Sequence, residues 1–118
     1  MNEFLLVFRR ENVENDPTPS PEQMQAMMKQ WGDWMGSLAA QNKLASSGNR
    51  LSSEGRVVKP NNMITNGPYV ETKEAIGGYI IVTASSIDEA ATLAKECPIL
   101  FIGGNVEVRK VVPMEDNS

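Results

Sequence analysis

Pairs of carboxylates and cations two residues apart are the features of this sequence best suited to chemistry. Glu71 and Lys73 form one pair, and Glu107 and Arg109 form another. A carboxylate that is partly buried in a cleft has its pKa raised toward neutrality, which makes Glu71 a candidate general base. Lys73 or Arg109 could then stabilise a developing oxyanion. The same residues also suit simple ion pairs at a strand edge, each worth about 0 to 1 kcal/mol when exposed, so both interpretations stay open.

Three further residues are candidate ligand contacts. Asn66 offers an amide beside an exposed backbone, although its Asn-Gly-Pro context is also ordinary turn chemistry. The ring of Trp34 could stack on a planar ligand, whereas aromatic residues at helical spacing more often belong to a core. Arg50, on a weakly predicted strand, could bind an anion or could be a solvated edge residue.

The composition excludes several classes of function. None of the 118 residues is histidine, which rules out Ser-His-Asp triads, Cys-His dyads, histidine zinc sites and haem held by a proximal histidine. A net charge of −4 provides no overall basic field for a phosphate backbone, so no nucleic-acid partner is expected. The sequence has no phosphate loop, GxGxxG motif, CxxC pair or carboxylate cluster, and we therefore expect neither a metal nor another cofactor.

The single cysteine and the N-terminal segment indicate where the protein resides. Cys97 follows a predicted helix, whose negative dipole end disfavours a thiolate, so we interpret it as a core residue rather than a nucleophile. One cysteine cannot form an intrachain disulfide. The opening MNEFLLVFRR lacks the layout of a signal peptide, and no segment approaches the roughly 18 apolar residues of a membrane span. We expect a cytoplasmic, soluble protein with no membrane partner.

Hydrophobic periodicity predicts a single α+β domain over residues 1–113, followed by a disordered tail over 114–118. The order is strand, helix, strand, inserted hairpin, strand, helix, strand, which is the ferredoxin-like βαββαβ pattern. In that topology the first and third main strands lie in the middle of the sheet, and here those are the two fully apolar runs. The predicted elements cover residues 4–8, 21–42, 44–51, 56–59 with 63–65, 77–84, 87–96 and 105–112.

Local patterns also predict how the helices begin and pack. Ser20 and Ser86 are expected N-caps, each with Gln or Glu three residues later. Gly32 and Gly36 lie inside the first helix, which suggests a close backbone approach there. The residues expected to face the core are Met24, Met27, Met28, Trp31, Trp34, Met35 and Leu38 in the first helix, and Ile87, Ala90, Ala91 and Ala94 in the second.

The sheet is predicted to have one bare apolar face, because both right-handed crossovers place the helices on the same side. Phe4, Leu6 and Phe8 point one way along the first strand, whereas Leu5 and Val7 point the other way. A second copy of the sheet is the simplest cover, so we expect a twofold homodimer with Glu107 and Arg109 facing clefts at its rim. The alternative is a monomer whose inserted hairpin folds over this face.

One motif resembles a known family. The segment from Asn66 to Glu74, NGPYVETKE, is followed by Gly77-Gly78-Tyr79 and later by the strand NVEVR over residues 105–109. This order is similar to the DGPF branch of the YCII-related family, which typically reads DGPFxETKE, then a GG-aromatic strand and a closing VEVRP-like strand. The similarity spans nearly the whole chain.

The resemblance implies a ferredoxin-like fold that forms a dimeric α+β barrel with a small-molecule pocket beside the sheet of each subunit. Some members of the family suggest an enzyme with a His and Asp pair, and DGPF members often accompany extracytoplasmic-function sigma factors. This chain has no histidine, and Asn66 replaces the motif aspartate. Tyr69 replaces the motif phenylalanine and adds a hydroxyl.

The sequence therefore leaves two alternative functions. The first is a homodimer that binds a small anionic or carbonyl-bearing molecule through Asn66, Tyr69, Lys73, Arg109, Trp34 and Arg50, with Glu71 as the catalytic candidate. The second is a noncatalytic regulatory or interaction module connected with a sigma-factor system.

Overall fold

A computed structural model describes residues 1–11, 20–52, 54–66 and 74–114. These residues form six strands, two α-helices and one 3-10 helix. The elements are β1 (Asn2–Glu11), α1 (Pro21–Ala40), β2 (Leu44–Arg50), β3 (Arg56–Lys59), β4 (Met63–Asn66), β5 (Glu74–Ala84), α2 (Ile87–Ala94), the 3-10 helix (Pro98–Ile102) and β6 (Asn105–Lys110). The tail predicted over residues 114–118 lies outside the described residues beyond Met114.

The main sheet confirms the predicted ferredoxin-like topology. Its four strands lie in the order β2-β5-β1-β6, and each neighbouring pair is antiparallel. The two continuous apolar segments, in β1 and β5, occupy the middle of the sheet. One face of each strand packs against the helices, and the opposite face carries the half-buried residues Leu5, Val7, Tyr79 and Ile81.

The core lies between one face of this sheet and the two helices. It consists of Phe4, Leu6, Phe8, Trp34, Leu38, Ile80, Val82, Ala84, Ala90, Ala94 and Cys97, all of which are buried. Alternate residues of β1 and β5 enter this core, as the period of two in a strand requires. The predicted separation of Phe4, Leu6 and Phe8 from Leu5 and Val7 on opposite faces is confirmed, and the first set faces the helices.

Helix α1 begins as predicted but packs over only part of its length. Ser20 and Gln23 form a reciprocal capping box at its start, and the helix ends at Ala40 rather than near residue 42. Trp34 and Leu38 of the predicted apolar stripe are buried and Trp31 and Met35 are partly buried against the core, whereas Met24 and Met28 are exposed. The expectation that these two methionines face the core is wrong, because periodicity defines one face of a helix and not how far the next layer extends beneath it.

The two glycines inside α1 make no close approach, contrary to expectation. Gly32 and Gly36 are exposed, and a Cβ atom added to either would meet nothing within 4 Å. Glycine in a helix interior is less favourable than alanine by about 1 kcal/mol, chiefly because it loses more backbone entropy. These positions are therefore local weaknesses of α1.

Replacing either glycine with alanine is expected to stabilise the protein. Gly32→Ala and Gly36→Ala should each raise the free energy of unfolding by about 0.5 to 1 kcal/mol, measured by urea denaturation. Gly48→Ala is the matched control with the opposite sign, because Gly48 has a φ of 60° and an added Cβ would lie 1.7 Å from the Tyr79 carbonyl oxygen. A loss of stability in either helix variant would contradict the exposed placement.

Helix α2 is capped by Ser86, whose hydroxyl accepts from the Glu89 amide. The Glu89 carboxylate does not complete the expected box. It accepts a hydrogen bond of 2.6 Å from the Ser85 hydroxyl and lies 3.4 Å from Nζ of Lys43, the residue immediately before β2. These contacts hold the pKa of Glu89 below its usual range, with the Ser85 bond contributing most. The helix thus joins the region that leads into β2.

The inner face of α2 differs at one predicted position. Ala90 and Ala94 are buried as expected, but Ile87 is exposed because it occupies the first turn, beyond the edge of the core. The helix ends at Ala94 instead of residue 96. Pro98 then begins the 3-10 helix, an element that the periodicity did not predict.

The inserted hairpin forms a separate two-stranded sheet from β3 and β4. Asn61 and Asn62 turn the chain with positive φ angles between the two predicted strands of the hairpin. Val58 and Ile64 face each other across the hairpin, and both remain largely exposed. Because these apolar side chains are not buried against the main sheet, the alternative of a hairpin folded over the bare face is not what this structure shows.

Within the described residues, neither helix is both long enough and apolar enough to cross a membrane.

Candidate functional site

The face of the main sheet that points away from the helices, called here the open face, has an apolar centre. Leu5 and Val7 of β1 lie beside Ile81 and Tyr79 of β5 in cross-strand register. All four side chains are half-buried, and among the described residues no helix covers them. Residues that pair across strands share a face, so this two-by-two block forms one continuous apolar patch.

A basic cluster borders the patch on the β6 side. Arg9 Nη2 donates to Glu107 Oε1 at 2.7 Å, and Arg109 Nη1 donates to Glu107 Oε2 at 3.1 Å. The Arg9 side chain is only 29% exposed, whereas that of Arg109 is 71% exposed. We call these three residues the basic cluster. Two guanidinium groups share one carboxylate, so the cluster carries one excess positive charge, and the exposed Arg109 can present it to a ligand.

A neutral polar pair borders the patch on the β2 side. Asn49 faces Tyr79 across the strands, and its Nδ2 donates to the Tyr79 hydroxyl oxygen at 3.2 Å. Irregular pairing in β2 and the positive φ of Gly48 bring the two backbones close together at this point. The hydroxyl hydrogen of Tyr79 is not used in this bond and can donate elsewhere.

Comparison with protein families now identifies the chain. A model of the YCII-related domain matches residues 1–115, which is nearly the whole sequence. The chain belongs to the YCII-related family. A search among curated proteins found no match.

Three predicted site residues of this YCII-related domain lie at separate places in the structure. Arg109 belongs to the basic cluster. Arg50 is exposed at the end of β2, the edge strand farthest from β6. Asn66 is exposed at the end of β4, where it pairs with Arg56 in the hairpin sheet. These three residues therefore do not form one cluster through their own strands.

Glu71, Tyr69 and Lys73 lie outside the described residues. The strand that follows them does locate the end of their motif. Glu74, the last residue of the motif, begins β5 opposite Glu11, two positions from the register pair of Ile76 and Arg9. Strand β5 thus begins at the end of the sheet where Arg9 lies.

The predicted stacking role of Trp34 is wrong. The ring is 6% exposed and lies on the helix side of the sheet, and its indole N–H donates to the Leu93 carbonyl at 3.1 Å. Edge-to-face contacts with Phe8 and Trp31 complete an aromatic cluster in the core. Trp34 therefore joins α1 to α2 and to β1, and a ligand on the open face cannot reach it.

The interpretation of Cys97 as a core residue is confirmed. Its side chain is fully buried between α2 and the 3-10 helix, and burial raises the pKa of the thiol to about 11. The neutral thiol is therefore the form present near pH 7, and it is a poor nucleophile.

Sequence reasoning missed Arg9, Tyr79 and Asn49 as site residues. Arg9 follows Leu5 and Val7 at the two-residue spacing of a strand face, so the alternation already placed it on the open face. Its contact with Glu107 depends on the register of β1 against β6, two segments separated by about a hundred residues. Asn49 gave no comparable signal, because it follows the irregular pairing of β2.

Protonation of Glu107 should weaken the basic cluster. Hydrogen bonds from Arg109 and then from Arg9 hold the pKa of this carboxyl below its usual range. A lowered pKa in the folded protein means that the stabilisation is present above the unfolded-state pKa, about 4.3 for Glu, and is lost as the pH falls through the folded value.

Glu107→Gln is therefore expected to lower the free energy of unfolding at pH 7 and to lose this deficit below about pH 4. Urea denaturation of both proteins from pH 3 to pH 7 measures the difference. Glu96→Gln, which alters another exposed carboxylate, is the control and should show a smaller effect. A deficit for Glu107→Gln that stays constant down to pH 3 would contradict the lowered pKa.

Proposed function

We propose that this YCII-related protein is a cytoplasmic homodimer of the DGPF branch that binds a small anionic or carbonyl-bearing molecule in a cleft beside the open face. The observation that carries the proposal is the basic cluster bordering an apolar patch. Such a combination suits a ligand that has a charged group and a small apolar body, because guanidinium groups recognise carboxylates in bidentate geometry.

The apolar patch supports the dimer. Leu5, Val7, Tyr79 and Ile81 form a continuous block on two central strands. At about 25 cal/mol per Å² of apolar surface removed from water, covering a few hundred Å² stabilises an assembly by several kcal/mol. A twofold pair of sheets buries this block on both copies at once, and its polar border then lies at the rim.

The charge distribution supports an anion. The whole chain has a net charge of −4, so the excess positive charge of the basic cluster is a local exception. Glu107 holds Arg9 and Arg109 in position, which reduces the side-chain entropy that Arg109 loses when it binds a ligand. Since salt bridges lower its pKa, Glu107 is ionised near neutrality and serves as an orienting group rather than a proton donor.

The motif that precedes β5 adds further proposed contacts. Asn66, Tyr69 and Lys73 are ligand-binding candidates, with Glu71 as the candidate base, because Glu74, the last residue of the motif, begins β5 at the end of the sheet where Arg9 lies. Arg50 remains a candidate for a separate anion at the opposite edge, because its register with Gly78 and Phe8 places it in a helix-side row. The function proposed for these residues is binding, and Glu71→Gln tests any role in proton transfer through the pH dependence of binding or turnover.

Arg109→Ala is expected to weaken the binding of a small acid about tenfold or more, because it removes a charge-assisted hydrogen bond. Calorimetric titration and thermal shift with pyruvate, propionate and phosphate measure the effect. Lys110→Ala is the matched control: it removes the same charge from the next residue of β6, whose register with Phe4 places it on the helix side.

Two results would overturn the proposal. One is a wild-type protein that sediments as a 13.0 kDa monomer at micromolar concentration. The other is equal loss of binding in Arg109→Ala and Lys110→Ala. A dimer that binds none of the acids but co-elutes with a purified extracytoplasmic-function sigma factor would instead favour the regulatory module.

A further inference from the structure

The two polar borders of the open face offer their ligand-binding groups at opposite edges of the sheet: Arg109 extends from β6, and the Tyr79 hydroxyl lies 3.2 Å from Asn49 Nδ2 of β2. One cross-strand row runs from Asn49 through Tyr79 and Val7 to Glu107. Neighbouring strands lie about 4.8 Å apart, so the two edge strands are separated by about 14 Å. The basic cluster and the Asn49–Tyr79 pair therefore form two half-sites on one protomer.

A twofold axis that lies between the two sheets, in the plane of the interface, can pair two open faces in two ways. An axis parallel to the strands places the β6 edge of one protomer against the β2 edge of the other. An axis perpendicular to the strands places each edge against its own copy, so that two net-positive clusters face each other across the cleft. Like charges in a cleft of reduced dielectric repel strongly, whereas the Asn49–Tyr79 pair is neutral.

We infer that the faces pair about an axis parallel to the strands, so that each ligand site joins the basic cluster of one protomer to the partner's Tyr79 and the partner's Asn49. This inference rests on the proposed function. The inference adds the two residues that the second protomer contributes to each ligand site, so that a single protomer holds only part of a site.

Two exposed apolar regions support the same axis. The hairpin follows β2 at the end of the sheet where Arg50, Gly78, Phe8 and Val106 form a row. The 3-10 helix, with its exposed Phe101, leads into β6 at that same end but at the opposite edge. An axis parallel to the strands brings the hairpin of one protomer beside the 3-10 helix of the other.

This contact would supply a cover that the hairpin lacks. A lone two-stranded hairpin is marginally stable in water, and here the facing pair Val58 and Ile64 is largely exposed. The perpendicular axis would instead put the hairpin and the other protomer's 3-10 helix at opposite ends of the dimer, and both regions would stay exposed.

The combined site defines a class of ligand. Arg109 offers guanidinium N–H groups to a carboxylate. The partner's Tyr79 offers a hydroxyl hydrogen, because its oxygen already accepts from the partner's Asn49. A small 2-oxo acid carries both acceptors, a carboxylate and a carbonyl oxygen, and is the class that this pair of donors fits.

Mixed dimers test the shared site. Arg109→Ala and Tyr79→Phe homodimers should each bind pyruvate about tenfold more weakly than wild type, and Tyr79→Phe should leave propionate, which lacks the keto oxygen, unchanged. A tagged heterodimer of the two variants keeps one site with both wild-type halves. It should therefore recover wild-type affinity at one site per dimer. A heterodimer no better than its parents would overturn the inference while leaving dimerisation and binding intact.

Cross-linking tests the pairing without any ligand. Asn49→Cys and Glu107→Cys proteins are mixed and treated with a bismaleimide about 10 Å long, the usual spacing of packed sheets. The native Cys97 is fully buried and does not compete. We expect the Asn49–Glu107 product between protomers. Self-linking of Glu107→Cys alone would overturn the inference, and so would a monomeric wild type, which would overturn the proposed function as well. If the dimer gives the expected Asn49–Glu107 product but binds none of the acids, the result would refute the proposed ligand class and support the pairing of the two faces.

Discussion

Ile81→Lys is expected to convert the proposed dimer into a folded monomer of 13.0 kDa. Ile81 lies beside Leu5 at the centre of the open face, and in the proposed dimer a lysine there would be an unpaired charge buried between two apolar sheets. Because the twofold axis duplicates the charge, we expect the dissociation constant to rise by at least a hundredfold, equivalent to about 3 kcal/mol. Sedimentation velocity over a concentration series measures it.

The controls separate dissociation from misfolding. Met28→Lys adds the same charge at an exposed position of α1, where the side chain is 71% exposed, and should leave the mass unchanged. Leu5→Lys is a second open-face variant, and circular dichroism should show that both retain the fold. A folded Ile81→Lys protein that stays dimeric would exclude the open face as the interface.

Trp34→Ala is expected to produce the largest loss of stability among single substitutions considered for α1. Removing a buried tryptophan leaves a cavity and also breaks the bond from its indole N–H to the Leu93 carbonyl. Substitutions of this kind cost about 3 to 5 kcal/mol, a large part of the stability of a small domain. Thermal and urea denaturation should both detect the change.

Two other variants divide this effect into its parts. Trp34→Phe keeps an aromatic ring against Phe8 but leaves the Leu93 carbonyl without its donor, and should cost about 1 to 3 kcal/mol. Met28→Ala should change stability by no more than about 0.5 kcal/mol, because this side chain is exposed. Similar losses for Met28→Ala and Trp34→Ala would mean that the whole stripe of α1 is packed.

The alternation of apolar residues was sufficient to predict the central sheet. Residues 4–8 and 77–84 are apolar on both faces, which identified them as the two central strands. The alternation along each strand also showed which side chains share a face of the sheet. The Ser20 cap was also predictable, because a capping box involves groups only three residues apart. These features depend on backbone geometry over one or two turns, which neighbouring residues control.

The composition of the site was less predictable. Arg109 was named from its place in the closing strand, but Arg9 was not, because their common partner Glu107 meets Arg9 only through the β1–β6 register. Trp34 was a candidate ligand contact with a core position as the alternative, and the core position holds because Phe8 and Leu93, from distant parts of the chain, contact its ring. Periodicity records which residues share a face and does not record what lies against that face.

Local sequence is thus enough to establish the βαββαβ order, the two central strands and the existence of an apolar face without a covering helix. Folding in three dimensions decides that Gly32 and Gly36 are open to solvent, that the hairpin forms its own sheet and that Arg9 and Arg109 share one carboxylate. The reason is physical: strand and helix periods arise from short-range backbone geometry, whereas burial and charge pairing depend on the register between segments far apart in the chain.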